Sequence, residues 1–171
     1  MSIKSVSFIS QFLAERLDPL PNAAMISIAN PGETVTLREG WASLLRVGVA
    51  DSSYDEETIG FFGRMWWVSS YGFPAKVHAL AIREFLDGLS SASDTLIVHC
   101  GAGVSRSAAV AKYAAERYQV PFPDDYHRHN EALYRLLVNP CVFDAALAPY
   151  PKPRPSGWRR LFASARRLGS P

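Results

Sequence analysis

Cysteine is scarce in this chain, with two residues, Cys100 and Cys141, among 171. They are too few for a disulfide scaffold and are expected to be free thiols in a reducing, cytoplasmic setting. Long apolar runs are missing as well, so no membrane span is expected. The SVSFIS stretch near the start meets Gln11 and Glu15 before it attains the length of a signal peptide. No repeat or low-complexity tract appears. Excess charge is also lacking: 18 Lys and Arg against 16 Asp and Glu leave +2, and no nucleic-acid partner is expected. What remains is an ordinary globular composition, 48% apolar and 20% charged, in a chain long enough for one domain to bury a core unaided.

The small net charge hides an asymmetry. Residues 1–150 hold 12 Lys and Arg against 16 Asp and Glu, a net of −4, whereas 151–171 hold six basic residues and no acid. Neither a packed helix nor a central strand would tolerate the proline-rich PYPKPRPSG at 149–157. The expected organisation is a compact domain over 1–148, then a linker and basic tail over 149–171. Within the tail, WRRLFASARRL sets Trp158, Leu161, Phe162, Ala165 and Leu168 at helical intervals, with four arginines elsewhere on the wheel. Such a segment suits docking on its own domain or, less readily, contact with an anionic membrane surface.

Along the domain, SVSFIS, AAMISIAN, LLRVGVAD and TLIVH have the β-branched, apolar character of buried strands. SQFLAERL reads as a short helix, and residues 52–73 as a polar and aromatic loop. AKVHALAIREFLDGL carries helical spacing, with Val77, Leu80, Ala81 and Phe85 on or near one face. VSRSAAVAKYAAERY and DDYHRHNEALYRLLVNP read as two further helices, the second stopping near Pro140. Strands alternating with helices predict an α/β fold with a central, mainly parallel sheet of four to five strands flanked by helices.

The most informative stretch is TLIVHCGAGVSRSAAV at 95–110. Ligands of parallel sheets gather beyond the C-terminal strand ends, where Cys100 is expected. A loop holding Gly101 and Gly103 can turn successive backbone N–H groups inward to bind an oxyanion. The helix that follows adds its positive end. Thiolate is favoured by amide donors and a nearby guanidinium. Arg106 supplies that guanidinium as a planar fork, and Ser107 can donate to the sulfur. A free cysteine at a strand end is most often a small buried hydrophobe; the conjunction of strand, glycines, arginine and helix points to chemistry instead. No Gly-Lys-Ser/Thr follows, which disfavours a nucleotide loop, and no second cysteine is nearby for a redox pair.

HCGAGVSRS resembles the signature loop of the cysteine-dependent protein tyrosine phosphatases, with Ser105 most similar to the small dual-specificity branch and its bacterial relatives. The order of elements extends a weaker likeness over residues 5–148. The resemblance implies a phosphatase-like fold and a phosphocysteine mechanism without metal or cofactor. Cys100 would be the nucleophile, and Gly101, Ala102, Gly103, Val104, Ser105 and Arg106 would hold the phosphoryl oxygens. Ser107 would steady the leaving sulfur, and His99 would hold the loop by hydrogen bonds. The general acid would be an aspartate after an earlier strand; Asp51 is favoured over Asp55, Glu56 and Glu57, although it lies 49 residues before Cys100. The substrate implied is a phosphorylated protein or peptide, phosphotyrosine first, with phosphoserine and phosphothreonine open.

Other features carry less. Phe61, Phe62, Trp66, Trp67, Tyr71 and Phe73 would suit either walls for a phosphotyrosine ring or core and dimer residues. His127 and His129 suit a solvated helix face better than a metal site, for want of partners. Asn130 and the Asn139-Pro140 pair are expected to support the loop, and Cys141 to be a packing residue. A phospho-binding module without turnover and a sulfur-transfer loop are the competing functions. The presence of Cys100, Arg106 and Ser107 together argues against both.

Overall fold

A computed structural model of the chain describes residues 3–149, the side chains at 68 and 69 excepted. The linker and basic tail from residue 150 lie outside the described residues. Four strands form one sheet: β1 (Ser5–Ser10), β2 (Ala23–Ala29), β3 (Ser43–Gly48) and β4 (Thr95–Cys100). Their spatial order is β1-β4-β2-β3, and all three pairings are parallel. The expected parallel-sheet α/β fold is therefore present. β2 is buried at every residue, as a parallel strand covered on both faces must be, and its sequence AAMISIA accordingly lacks polar alternation.

One face of the sheet, carrying Ile26, Ile28, Leu96, Val98 and Cys100, forms the main core with α4 (Lys76–Asp87), α5 (Arg106–Tyr118) and α6 (Glu131–Val138). The other face is thinner: Met25 and Ile97 pack under Leu17, Leu37 and Trp41, next to the one-turn α1 (Gln11–Ala14). α5 buries Ala108, Ala109, Ala111, Ala114 and Ala115. These small side chains let the helix approach the sheet closely.

Three expectations differ in detail. The stretch 52–73 is not a loop: it holds α2 (Glu56–Phe62) and α3 (Arg64–Ser69). Asp55 caps α2 by accepting from Thr58 N–H at 2.8 Å, Glu56 and Glu57 fill its first turn, and Gly63 ends it at φ +80°. α4 forms as expected but turns Ala79, Ile82 and Leu86 inward, leaving Val77 66% exposed. Its wheel is apolar over more than one face, and small Ala79 gives the closer approach. The last long helix begins only at Glu131, because the Asn130 side chain caps it by accepting from Leu133 N–H. A further one-turn helix, α7 (Asp144–Leu147), packs beside α2. No described helix is long and apolar enough to cross a membrane.

Leu96 is fully buried at the centre of the sheet. Leu96→Ala is expected to cost about 2–5 kcal/mol. Val77→Ala, on the exposed side of α4, should stay within about 0.5 kcal/mol of wild type. Urea denaturation midpoints check both.

Candidate active site

β4 carries Cys100 to the C-terminal edge of the sheet, where its register partner Ser10 ends β1. The five residues 101–105 then bend back into α5. Gly103 makes the bend: its φ is +72°, and a Cβ there would lie 2.4 Å from Ser10 N and 2.5 Å from the Ile9 carbonyl carbon. No other residue fits. Loop carbonyls are tied off around the rim. Gly101 O accepts from Gln11 N–H at 3.1 Å, Val104 O from the Tyr126 hydroxyl at 2.6 Å and Ser105 O from Asn130 N–H at 3.1 Å. The N–H groups of Gly103, Val104 and Ser107 are left to donate to the Cys100 sulfur.

The Cys100 side chain is buried, and burial alone would push its thiol up. The Ser107 hydroxyl, 3.2 Å from Sγ, and those three N–H donors outweigh burial and hold the thiol below its ordinary value. These donors shift the balance toward the thiolate at the start of α5, whose positive end acts in the same direction.

Arg106 is 6% exposed. Its Nη1 donates backwards to the Val49 carbonyl at 2.7 Å and to Asn30 Oδ1 at 3.0 Å. Both acceptors are neutral. The Nε–H is buried and has no hydrogen-bond partner, and Nη2 sits 3.6 Å from where a Cβ on Gly101 would be. One side of the guanidinium is anchored, and the other is open along the loop.

Asp51 stands two residues beyond Val49, and its side chain is 40% exposed. Its Oδ1 accepts from the Ser105 hydroxyl at 2.6 Å and from Asn130 Nδ2 at 3.1 Å. Its Oδ2 lies 3.9 Å from Arg106 Nε. The structure thus brings Asp51 against the loop. Asp55 is engaged elsewhere, held low by the Thr58 hydroxyl and N–H that it caps. Glu56 is likewise held low, by its ion pair with Arg135.

His99 has only a weak hold on the loop. Its ring is fully buried, neither nitrogen makes a hydrogen bond of good geometry, and its interaction with the Cys100 backbone is a minor one. Burial, reinforced by the charge of Arg46, pushes it down to about 4, so it packs as a neutral ring.

The aromatic residues of 61–73 divide. Phe61 is 82% exposed. Trp67 and Phe73 pack on the core around Tyr54. Trp67, Tyr71 and Phe73 line a cavity of about 370 Å³ with Pro31 and Gly48, which contains no residue of 100–107. The aromatic side chain at the loop is instead Tyr126, whose hydroxyl donates to Val104 O; Phe12 and Leu13 are exposed and follow Gln11, whose N–H bonds Gly101 O. His127 and His129 precede α6 and lie off the helix; His129 Nε2 is 3.1 Å from Glu131 Oε2. Cys141 is exposed, not packed, with Lys76 Nζ at 3.0 Å from its sulfur. Asn139 caps its own turn by accepting from Cys141 N–H.

Asn30, Val49 and Tyr126 are site residues that sequence reasoning missed. Asn30 had a signal, since it closes a strand just before Pro31-Gly32. Val49 had none, because it acts through its backbone. Compared with known proteins, the chain matches no family model, no curated protein and no solved structure.

Two outcomes test these electrostatics. The pH midpoint of Cys100 alkylation by iodoacetamide should lie below that of a free thiol and rise in Ser107→Ala, which removes a donor to the thiolate; an unmoved midpoint would contradict this. For His99, the folded value lies below the unfolded one, so between about pH 6.5 and 4 the unfolded chain binds a proton that the folded chain does not. Stability should fall across that window as pH drops, by up to about 3 kcal/mol. His99→Gln should flatten that part of the profile in urea titrations run at successive pH values.

Proposed function

We propose that the protein is a phosphomonoester hydrolase working through a phosphocysteine intermediate, similar to the protein tyrosine phosphatases and their small dual-specificity branch. The observation that carries this reading is the pairing of a thiolate-favouring Cys100 with the buried, half-open Arg106 guanidinium on one loop. A dianion would supply the acceptors that Nε lacks, and the loop amides would take its remaining oxygens.

In this mechanism the Cys100 thiolate attacks phosphorus. The bond from phosphorus to the substrate oxygen breaks, and Asp51 hands its proton to that departing oxygen. Arg106 and the loop N–H groups stabilise the charge on the transferring oxygens. A water molecule then attacks the phosphocysteine, gives its proton back to Asp51, and releases inorganic phosphate and the thiolate, which Ser107 steadies. Tyr126, held to the loop through Val104 O, offers an aromatic surface for the ring of a substrate. Phosphotyrosine in a protein or peptide is the substrate this favours, with phosphoserine and phosphothreonine within reach.

Aryl phosphate hydrolysis in the presence of a chelator is the test. Wild type should turn over; Cys100→Ser should abolish turnover. Asp51→Asn should lower kcat by about 10²-fold or more for a poor leaving group, and by less for 4-nitrophenolate, which leaves without help. Turnover that survives Cys100→Ser would sink the proposal.

A further inference from the structure

Asn130 is 3% exposed and uses every polar group it has. Its backbone N–H donates to Ser105 O at 3.1 Å and its carbonyl accepts from Tyr134 N–H at 3.0 Å. Its side-chain oxygen caps α6 by accepting from Leu133 N–H at 2.9 Å. Its Nδ2 donates both to Asp51 Oδ1 and to Ser52 O, each at 3.1 Å. Only one orientation of the amide meets these demands, because Leu133 N–H requires the oxygen and the Ser52 carbonyl requires the nitrogen. One residue thereby joins α6, the loop after β4 and the segment after β3.

The consequence falls on Asp51. A carboxyl oxygen has two lone-pair positions in its plane, and Oδ1 fills both with the Ser105 hydroxyl and Asn130 Nδ2. A proton on this group must therefore sit on Oδ2, the oxygen 3.9 Å from Arg106 Nε. Ser105 can spare its hydroxyl for this because it gives α5 no side-chain cap.

We propose that Asn130 is a positioning residue for Asp51: with Ser105 it commits Oδ1 to the loop and leaves Oδ2 as the oxygen that carries the transferred proton. The inference rests on the phosphatase reading and adds to it a residue outside the signature loop. A purely structural role, capping α6, predicts something different. Serine caps a helix as well as asparagine does but has no amide to offer Asp51.

The experiment compares full-length wild type, Asn130→Ser, Asp51→Asn and the double variant. Substrates are phenyl phosphate, with a poor leaving group, and 4-nitrophenyl phosphate, with a good one. Inorganic phosphate as competitive inhibitor reports the cradle alone. Asn130→Ser should lower kcat for phenyl phosphate by about tenfold, with a smaller loss for 4-nitrophenyl phosphate. The inhibition constant of phosphate should be unchanged, and the variant should add nothing in the Asp51→Asn background. Equal losses on both substrates, weakened phosphate inhibition or a full further loss in the double variant would make Asn130 a loop support and overturn the inference. An Asp51→Asn effect with a silent Asn130→Ser overturns this inference alone, whereas an inactive wild type overturns the hydrolase reading and this one with it. Urea midpoints of the same four proteins give a readout that does not depend on activity. The two substitutions should be non-additive there, and additive midpoints would deny the contact itself.

Discussion

A guanidinium taken almost entirely out of water is the constraint around which this edge of the sheet is arranged. Arg106 answers part of its demand with the Val49 carbonyl and the Asn30 amide oxygen, both uncharged. Burying a cation with neutral partners costs several kcal/mol. A carboxylate in direct contact would offset that cost but would also consume the charge. Asp51 at 3.9 Å stops short of such contact, so the field of the guanidinium remains directed along the loop. The topology makes this arrangement accessible. Cys100, Asn30 and Val49 follow or end β4, β2 and β3, which are neighbours in the order β4-β2-β3. Because the three strands are parallel, their C-terminal ends share one edge; an antiparallel neighbour would have sent its end to the far side.

Close approach is the second requirement, and small residues meet it. The alanine face of α5 lies flat on the sheet, which sets the helix N-terminus immediately beneath the sulfur. Gly103 does the same for the loop against the end of β1, with less than 2.5 Å between its missing Cβ and Ser10 N. Depression of the Cys100 thiol depends on these two approaches, because the donors that outweigh burial are the Ser107 hydroxyl and the N–H groups of Ser107, Val104 and Gly103 that they bring into range. Glycine and alanine here fix electrostatics through distance.

The parallel sheet and the strand-loop-helix around Cys100 were legible in the sequence because each rests on a local pattern, β-branched runs and paired glycines, whereas the nearness of Asp51 was expected only through the phosphatase resemblance. The inward face of α4 was not. Val77, Ala79, Leu80, Ile82, Phe85 and Leu86 spread apolar character around the wheel, and only packing against the sheet selects Ala79, Ile82 and Leu86. The helices in 52–73 were present as signals, in the Asp55 cap and in Gly63, but their aromatic content masked the period. His99 illustrates a deeper limit. A histidine at the end of a buried strand suggests hydrogen bonds, yet whether partners exist depends on what the other strands place beside it, and here they place none.

The 49 residues between Asp51 and Cys100 look long for two groups that meet at one loop. Chain length is the wrong measure, because the excursion closes on itself. Ala50 N–H donates to Gly72 O at 2.7 Å, so the chain leaves and returns at a single point, and the Tyr54 hydroxyl donates to Pro74 O just beyond that point. Everything from α2 to α3 is thereby carried outside the path from β3 to the loop. Asp51 is placed by the register of β3 and by its bonds to Ser105 and Asn130, none of which depends on how many residues the excursion contains. The aromatic surface of α2 and α3 can then change in size and composition while the spacing of carboxyl, guanidinium and sulfur stays as it is.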